Sequence, residues 1–328
     1  MSGSYRVPPA ARAGSGARPT SGWQLLLIGA LVFAGAWAGI MITHEADRVA
    51  PIWITNAVLL AVLLRSSAHR WPLVLAVGCI ANALANITTG DAAVTALGLS
   101  ACNTLEIVTA ALLLARPAGS PLDLRRSAVL VRFVACAGGA APALSATAAA
   151  GFLALTAGAD PAAVWQTWFL ADALGMLVVA PLLLMLRTRE LAGLFRPPLR
   201  HETAALLAGL TAVVGLVFAQ SSLPILFVVL PLLVLTAFRL GFAGAAVATL
   251  LTAVISIGLT IEGYGPAMLA DTSVVGRVLL LQGFLAVAVL TSLPVASILA
   301  QQRRTEAALG ISETLYRTLV LSSREVVF

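Results

Sequence analysis

The sequence contains no lysine and little charge of any kind: 20 Arg, 14 Asp or Glu and 3 His among 328 residues, a charged share of 10%. Soluble domains carry nearer ~25% charged residues, so an ordinary soluble enzyme is excluded. A net charge of +6 and a pI near 10.2 raise nucleic-acid binding. No basic stripe with interleaved aromatics lies outside the apolar segments, however, and that class is set aside. Cysteine is scarce and odd in number. Cys79, Cys102 and Cys136 lie in apolar segments without CxxC spacing and read as small buried hydrophobes rather than redox or metal ligands. His44, His69 and His201 fall on different elements and sides, with no metal-ligand spacing. No P-loop, GxSxG, HExxH, GxGxxG or kinase signature occurs, and no nucleophile stands beside a base. No catalytic act, cofactor or metal is expected of this chain.

Apolar residues dominate instead, at 60%, in repeated runs of about 18 residues or more. The predicted fold class is all-α: a polytopic transmembrane helix bundle of about 8–10 spans, followed by a cytoplasmic signalling helix. Ten spans are drawn at 23–43, 51–65, 71–88, 91–115, 127–157, 163–187, 203–220, 223–239, 241–261 and 274–300. Residues 1–22 form a basic, Pro/Ser/Gly-rich leader, and the first span is too long for a signal-peptide core and stays as an anchor. Spans two and eight are short, tilted or re-entrant. Span five would measure about 46 Å, longer than the hydrocarbon core, so its start at Arg126 and Arg132 projects from the bilayer. Its bend is expected at Gly138, Gly139 and Pro142. Pro181, Pro224, Pro231 and Pro294 are candidate helix kinks. Gly35 and Gly39, four residues apart, favour close helix packing.

The positive-inside rule supports this count. With a cytoplasmic N-terminus, 18 of the 20 Arg fall on the inner side, and only Arg48 and Arg277 lie outside. The outer loops carry Glu45, Asp47, Asp91, Asp160, Glu262 and Asp271 instead. Merging spans seven and eight would preserve the later parity, so the count over 203–239 stays open. The expected location is the bacterial inner membrane, multi-pass, with both termini cytoplasmic. The lipid bilayer is the first partner, and nucleic acid is not one.

After residue 300 the composition turns polar, as in a helix leaving the bilayer. Ala308, Ile311, Leu315 and Leu319 recur at near-heptad spacing over less than two heptads, compatible with a homodimer through 300–323.

Two carboxylates sit within the spans, Glu106 and Asp172. Each costs at least ~2.5–3.5 kcal/mol to insert and needs a partner, a wet cavity or a proton. Counted from the span centres, their depths differ by roughly 9 Å, as along one polar track. Asn103 lies one turn before Glu106. Trp165, Trp168 and Asp172 share a stripe, as do Asn82 and Asn86, and Trp53 and Asn56 stand at i and i+3 near the start of span two. Two readings are open. One is a polar ligand pocket or relay between spans two, three, four and six, with Glu106, Asp172, Asn103, Asn82, Asn86, Asn56, Trp53 and Trp168 as its candidate residues. The other is a set of interhelical hydrogen bonds that fix the bundle, each worth ~0.6–2 kcal/mol.

The set Pro51-Ile-Trp53-Ile-Thr-Asn56, Arg70-Trp71-Pro72, Asn82, Asn103-Thr-Leu-Glu106, Trp168 with Asp172-Ala-Leu-Gly175, and Pro181 resembles, in order and spacing, the MASE1 integral membrane sensory domain of bacteria. The NTLE and W-x3-D-x-x-G pieces are the more specific. The family often has Trp-Pro followed by Gly in span two, where this chain has Ile54, Thr55 and Ala57. The resemblance covers about 25–300 and implies an input module that passes an unidentified signal, from a small molecule or a membrane-protein partner, to a cytoplasmic histidine kinase, GGDEF or EAL domain, often through PAS. Residues 313–323 resemble the lead-in to a PAS domain. The expected organisation is therefore a leader (1–22), a transmembrane sensory domain (23–300) and a signalling helix (301–328) leading to a PAS or output domain that is truncated or absent. Two-component or cyclic-di-GMP signalling follows from that resemblance. A secondary transporter with intramembrane carboxylates is the alternative. A membrane-embedded transferase or hydrolase is less suited, because its polar groups would gather at one interface and these are scattered.

Overall fold

The computed structural model describes residues 22–44, 50–115, 122–186 and 188–324. The leader before Gly22, the loop acids Glu45 and Asp47, and Arg48, Arg116, Arg187 and residues 325–328 fall outside the described residues.

The described residues form an all-helical bundle: α1 (Gly22–His44), α2 (Thr55–Leu64), α3 (Trp71–Thr88), α4 (Ala93–Leu114), α5 (Ser127–Ala135), α6 (Ala141–Ala157), α7 (Pro161–Met185), α8 (Arg189–Leu194), α9 (Arg200–Phe218), α10 (Val229–Ile261) and α11 (Val274–Arg324). Among the described residues, eight helical stretches are long and apolar enough to cross a membrane. Small residues fill the interior: Ala57, Ala85, Ala110, Ala146 and Ala180 are fully buried, whereas Leu26, Val131, Leu155 and Leu216 point outward. Between lipid-like surroundings and protein there is little hydrophobic drive, so close approach over small side chains is what holds such helices together. Central to the bundle is α7, of whose most apolar stretch 67% is buried, while the same stretch of α1 is 11% buried and peripheral.

Local sequence explains the helix ends. Asp160 accepts from Ala162 N and Pro161 opens α7, while Thr188 accepts from Leu191 N to start α8. Gly158, at φ 64°, ends α6 in the left-handed conformation. The bend expected near Gly138, Gly139 and Pro142 is present as a π-helical turn, Cys136–Ala140, between α5 and α6. Pro181 and Pro294 lie inside α7 and α11. Two of the expected proline kinks are absent. Pro224 lies in a loop, and Pro231 occupies the first turn of α10, where its missing N–H has no partner to lose.

The drawn spans eight and nine meet at one residue, Gly241 (φ 68°, ψ −160°). The arm before it leaves the loop that follows Phe218 and ends at Arg239, which pairs with Glu202 at the start of α9. The arm after it begins beside Glu190 and ends near Gly265, whose N–H donates to Ser221 Oγ just past α9. The two arms therefore cross the bundle in opposite directions, and Arg-bearing helix ends gather on one face.

Span two departs most from expectation. Residues 50–54 are not helical, and α2 begins only at Thr55. Trp53 N donates to Ala171 O, partway along α7, while Arg65 just past α2 donates to Leu183 O near the end of α7. Thus α2 is a half-helix that starts at mid-depth, and Trp53 is not helically spaced from Asn56.

Candidate functional site

Irregular backbone at membrane depth persists only where protein or a wet cavity satisfies it. Residues 50–54 are held on three sides. Gln282 of α11, fully buried, donates from Nε2 to Ala50 O at 3.1 Å and Pro51 O at 3.2 Å. Ala171 O accepts from Trp53 N at 2.9 Å. Gly175 of α7 passes so close that a Cβ there would lie 1.8 Å from Trp53 O. The Gly of W-x3-D-x-x-G is thus required by the re-entrant segment. Gly35 and Gly39 of α1 meet the same segment, the first against Thr55 and the second against the Trp53 ring.

Below this segment the polar residues converge. Asn56, in the first turn of α2, donates from Nδ2 to Asn103 Oδ1 and to Glu106 Oε2, both at 3.0 Å. The carboxyls of Glu106 and Asp172 lie within hydrogen-bonding reach of each other. The expected ~9 Å stagger in depth is therefore corrected. α4 and α7 start at 93 and 161 rather than 91 and 163, which brings the two Cα levels to about 3 Å apart when counted from those starts, and the Glu side chain spans the rest. Ser145 of α6 donates to Cys102 O at 3.0 Å and accepts from Trp168 Nε1 at 3.0 Å, fixing the indole beside Asp172.

A cavity of about 550 Å³ opens from this floor, bordered by Asn103, Asp172 and Trp168, toward Thr89 and Asp91 on the face poor in Arg. Of the eight candidate residues, Trp53, Asn86, Asn103, Trp168 and Asp172 line it. Asn56 and Glu106 stand behind its floor, and Asn82 is joined to it through Asn86, whose Nδ2 donates to Asn82 O and Oδ1. Trp53 Nε1 is buried without a hydrogen-bond partner, and the buried Glu106 Oε1 and Asp172 Oδ2 accept from no N–H or alcohol group. Sequence reasoning missed Gln282 and Ser145. A Gln inside the apolar run of span ten was a visible signal, whereas a membrane serine is too common to be one.

On the opposite, Arg-rich face, charges collect around the loop before α5. Asp123 pairs through Oδ1 with Arg125 at 2.8 Å and through Oδ2 with Arg304 of α11 at 3.0 Å. Arg125 also reaches Glu190 Oε2 at 3.1 Å, and Glu190 Oε1 accepts from Ala243 N just past the Gly241 corner. Gln301 Oε1 accepts from Ser127 N, and Arg303 donates to Phe238 O. Partial burial opposes ionisation of Asp123, but hydrogen bonds from Arg125 and Arg304 outweigh it and hold the carboxyl below its ordinary value. The same bond to Asp123 raises Arg125.

The architecture is that of a multi-span membrane protein with a polar pocket closed by a half-helix. The chain belongs to the MASE1 family: the MASE1 family model matches residues 24–304. It is accordingly a member of a family of membrane-associated sensory domains. No curated protein and no solved structure gives a significant match.

Proposed function

We propose that the chain is the input region of a bacterial signalling protein in the inner membrane, with its Arg-rich face and both termini in the cytoplasm. The signal acts at the cavity bounded by Trp53, Trp168, Asn103 and Asp172 and travels along α11 to a histidine kinase or to a diguanylate cyclase or cyclic-di-GMP phosphodiesterase. The observation that supports this most is the continuity of α11. It is one helix from the turn that grips Ala50 and Pro51 at the cavity, through the ion pairs of Arg304, to Arg324. Displacing the cavity wall at Ala50 or Trp53 must therefore either drag Gln282 or break its bonds, and a helix transmits rotation and translation along its axis. Beyond Arg304 the helix leaves the bundle with Leu309 and Ile311 exposed, which suits pairing in a homodimer through 300–323.

A chimera carrying a kinase or cyclase downstream of α11 tests the reading. Glu106→Gln and Asp172→Asn keep shape and much of the hydrogen bonding, so insertion and yield should persist while output locks or falls silent. Normal signalling by both variants would refute it. One feature favours a second reading: a half-helix that begins at mid-depth beside carboxyls also occurs in secondary transporters. Proton- or sodium-coupled uptake into vesicles carrying the chain would establish that alternative.

A further inference from the structure

Resting on the cavity reading above, we infer that the ligand is an organic ammonium ion with an aromatic or short aliphatic body, and that Asp172 is its counter-ion. The acid at the cavity floor is Asp172. Among the described residues that line it, Asp91 stands near the mouth and Asp172 at the floor, and none is Arg or His. At the floor an anion would meet the Asp172 carboxyl in a setting of low dielectric, where like charges repel most. A neutral apolar ligand would offer Asp172 no partner on its cavity side. That side chain is 3% exposed, and its Oδ2 meets no donor from the folded chain. Asn56 answers one oxygen of Glu106, which does not line the cavity, so Asp172 is the acid that a ligand there can reach.

The walls agree with the floor. Trp53 and Trp168 border the same space, and indole faces attract ammonium groups when water is excluded. The Trp168 ring is held by its bond to Ser145, and Trp53 by its backbone bond to Ala171 and by Gly39, so both are oriented before a ligand arrives. Trp53 Nε1, buried and without a partner, leaves a donor for an acceptor atom on the ligand body. The volume, about 550 Å³, is that of a site for a small organic molecule.

The test uses the purified full chain in lipid nanodiscs, with phenethylamine as the probe and 2-phenylethanol and 3-phenylpropanoate as the neutral and anionic counterparts. Indole fluorescence and the thermal midpoint are the readouts. Phenethylamine should bind saturably, raise the midpoint by several degrees and bind at least about tenfold more tightly than the alcohol, while the carboxylate should not bind. Asp172→Asn should remove that preference. The comparison of amine with alcohol on the unaltered chain does not depend on how the variant folds. Equal binding of the two, or no saturable binding of the amine, overturns the ammonium assignment. The sensor reading is judged separately by the output of the chimeras, so the two can fail independently.

Discussion

Two of the polar contacts that hold α11 lie about 33 Å apart along its axis and differ in kind. At Gln282 an uncharged amide, fully buried, donates to the carbonyls of Ala50 and Pro51. At Arg304 a guanidinium 39% exposed meets Asp123, itself 21% exposed, at the edge of the Arg-rich face. The first contact is shielded from salt and, at Pro51, buried, and breaking it leaves a backbone carbonyl without a donor in an apolar interior. The second is screened and exchangeable, and exposed pairs of this kind are worth roughly 0–1 kcal/mol. A helix held firmly beside the cavity and loosely at its exit is suited to moving as a lever, with the displacement appearing at the exit.

The firm grip depends on the seat of residues 50–54, so the largest effect should come from spoiling that seat. Gly175→Ala places a Cβ 1.8 Å from Trp53 O and 2.7 Å from its carbonyl carbon, backbone atoms that cannot yield without moving the segment. A loss of about 3 kcal/mol is expected, read as a fall in thermal midpoint. Gly209→Ala in α9, where nothing lies within 4 Å, serves as the neutral control. If the two substitutions behaved alike, the tight passage of the segment over α7 would be wrong.

Next in size is Gln282→Leu. It removes the donor to both carbonyls and should cost about 1–2 kcal/mol. Its distinguishing consequence is functional: a chimera should insert and stay folded yet lose its response, because cavity and helix are uncoupled. A normal response in this variant would mean that the signal reaches α11 by another route.

How much of this was legible in the sequence follows from range. Segments, the bend in span five and the two membrane carboxylates are written in local composition. So is the W-x3-D-x-x-G stripe, because Trp168, Asp172 and Gly175 share one face of a single helix. The irregular start of span two was hidden. Residues 51–65 are apolar almost throughout, and a few extended residues followed by a helix leave no period to read. The kink at Gly241 shows only as a glycine between apolar runs, and both neighbours are helix formers. Gln282 and Arg304 were illegible as grips because their partners lie 231 and 181 residues away in the chain. The pairing of Glu106 with Asp172 depended on helix start points shifted by two residues, within the uncertainty of any hydropathy boundary.

The smallest effect belongs to the exit grip. Asp123→Asn removes the negative charge shared by Arg125 and Arg304 and one of its two acceptor oxygens, and should lower stability by no more than about 1 kcal/mol, less as salt is raised. Its pH dependence gives the sharper test. The folded-state value of Asp123 lies below its ordinary one, so the unfolded chain takes up the proton first as pH falls. The contribution is therefore complete above about pH 4–5 and disappears only as pH drops through the ordinary aspartate value near ~3.9 and below it. Thermal midpoints of the natural chain and of Asp123→Asn, followed from pH 7 to pH 3, should run parallel at first and converge only at the acid end. Convergence between pH 6 and 7 would contradict a carboxylate held by two guanidinium groups, and the contrast between a fixed inner grip and an ionic outer one would lose its basis.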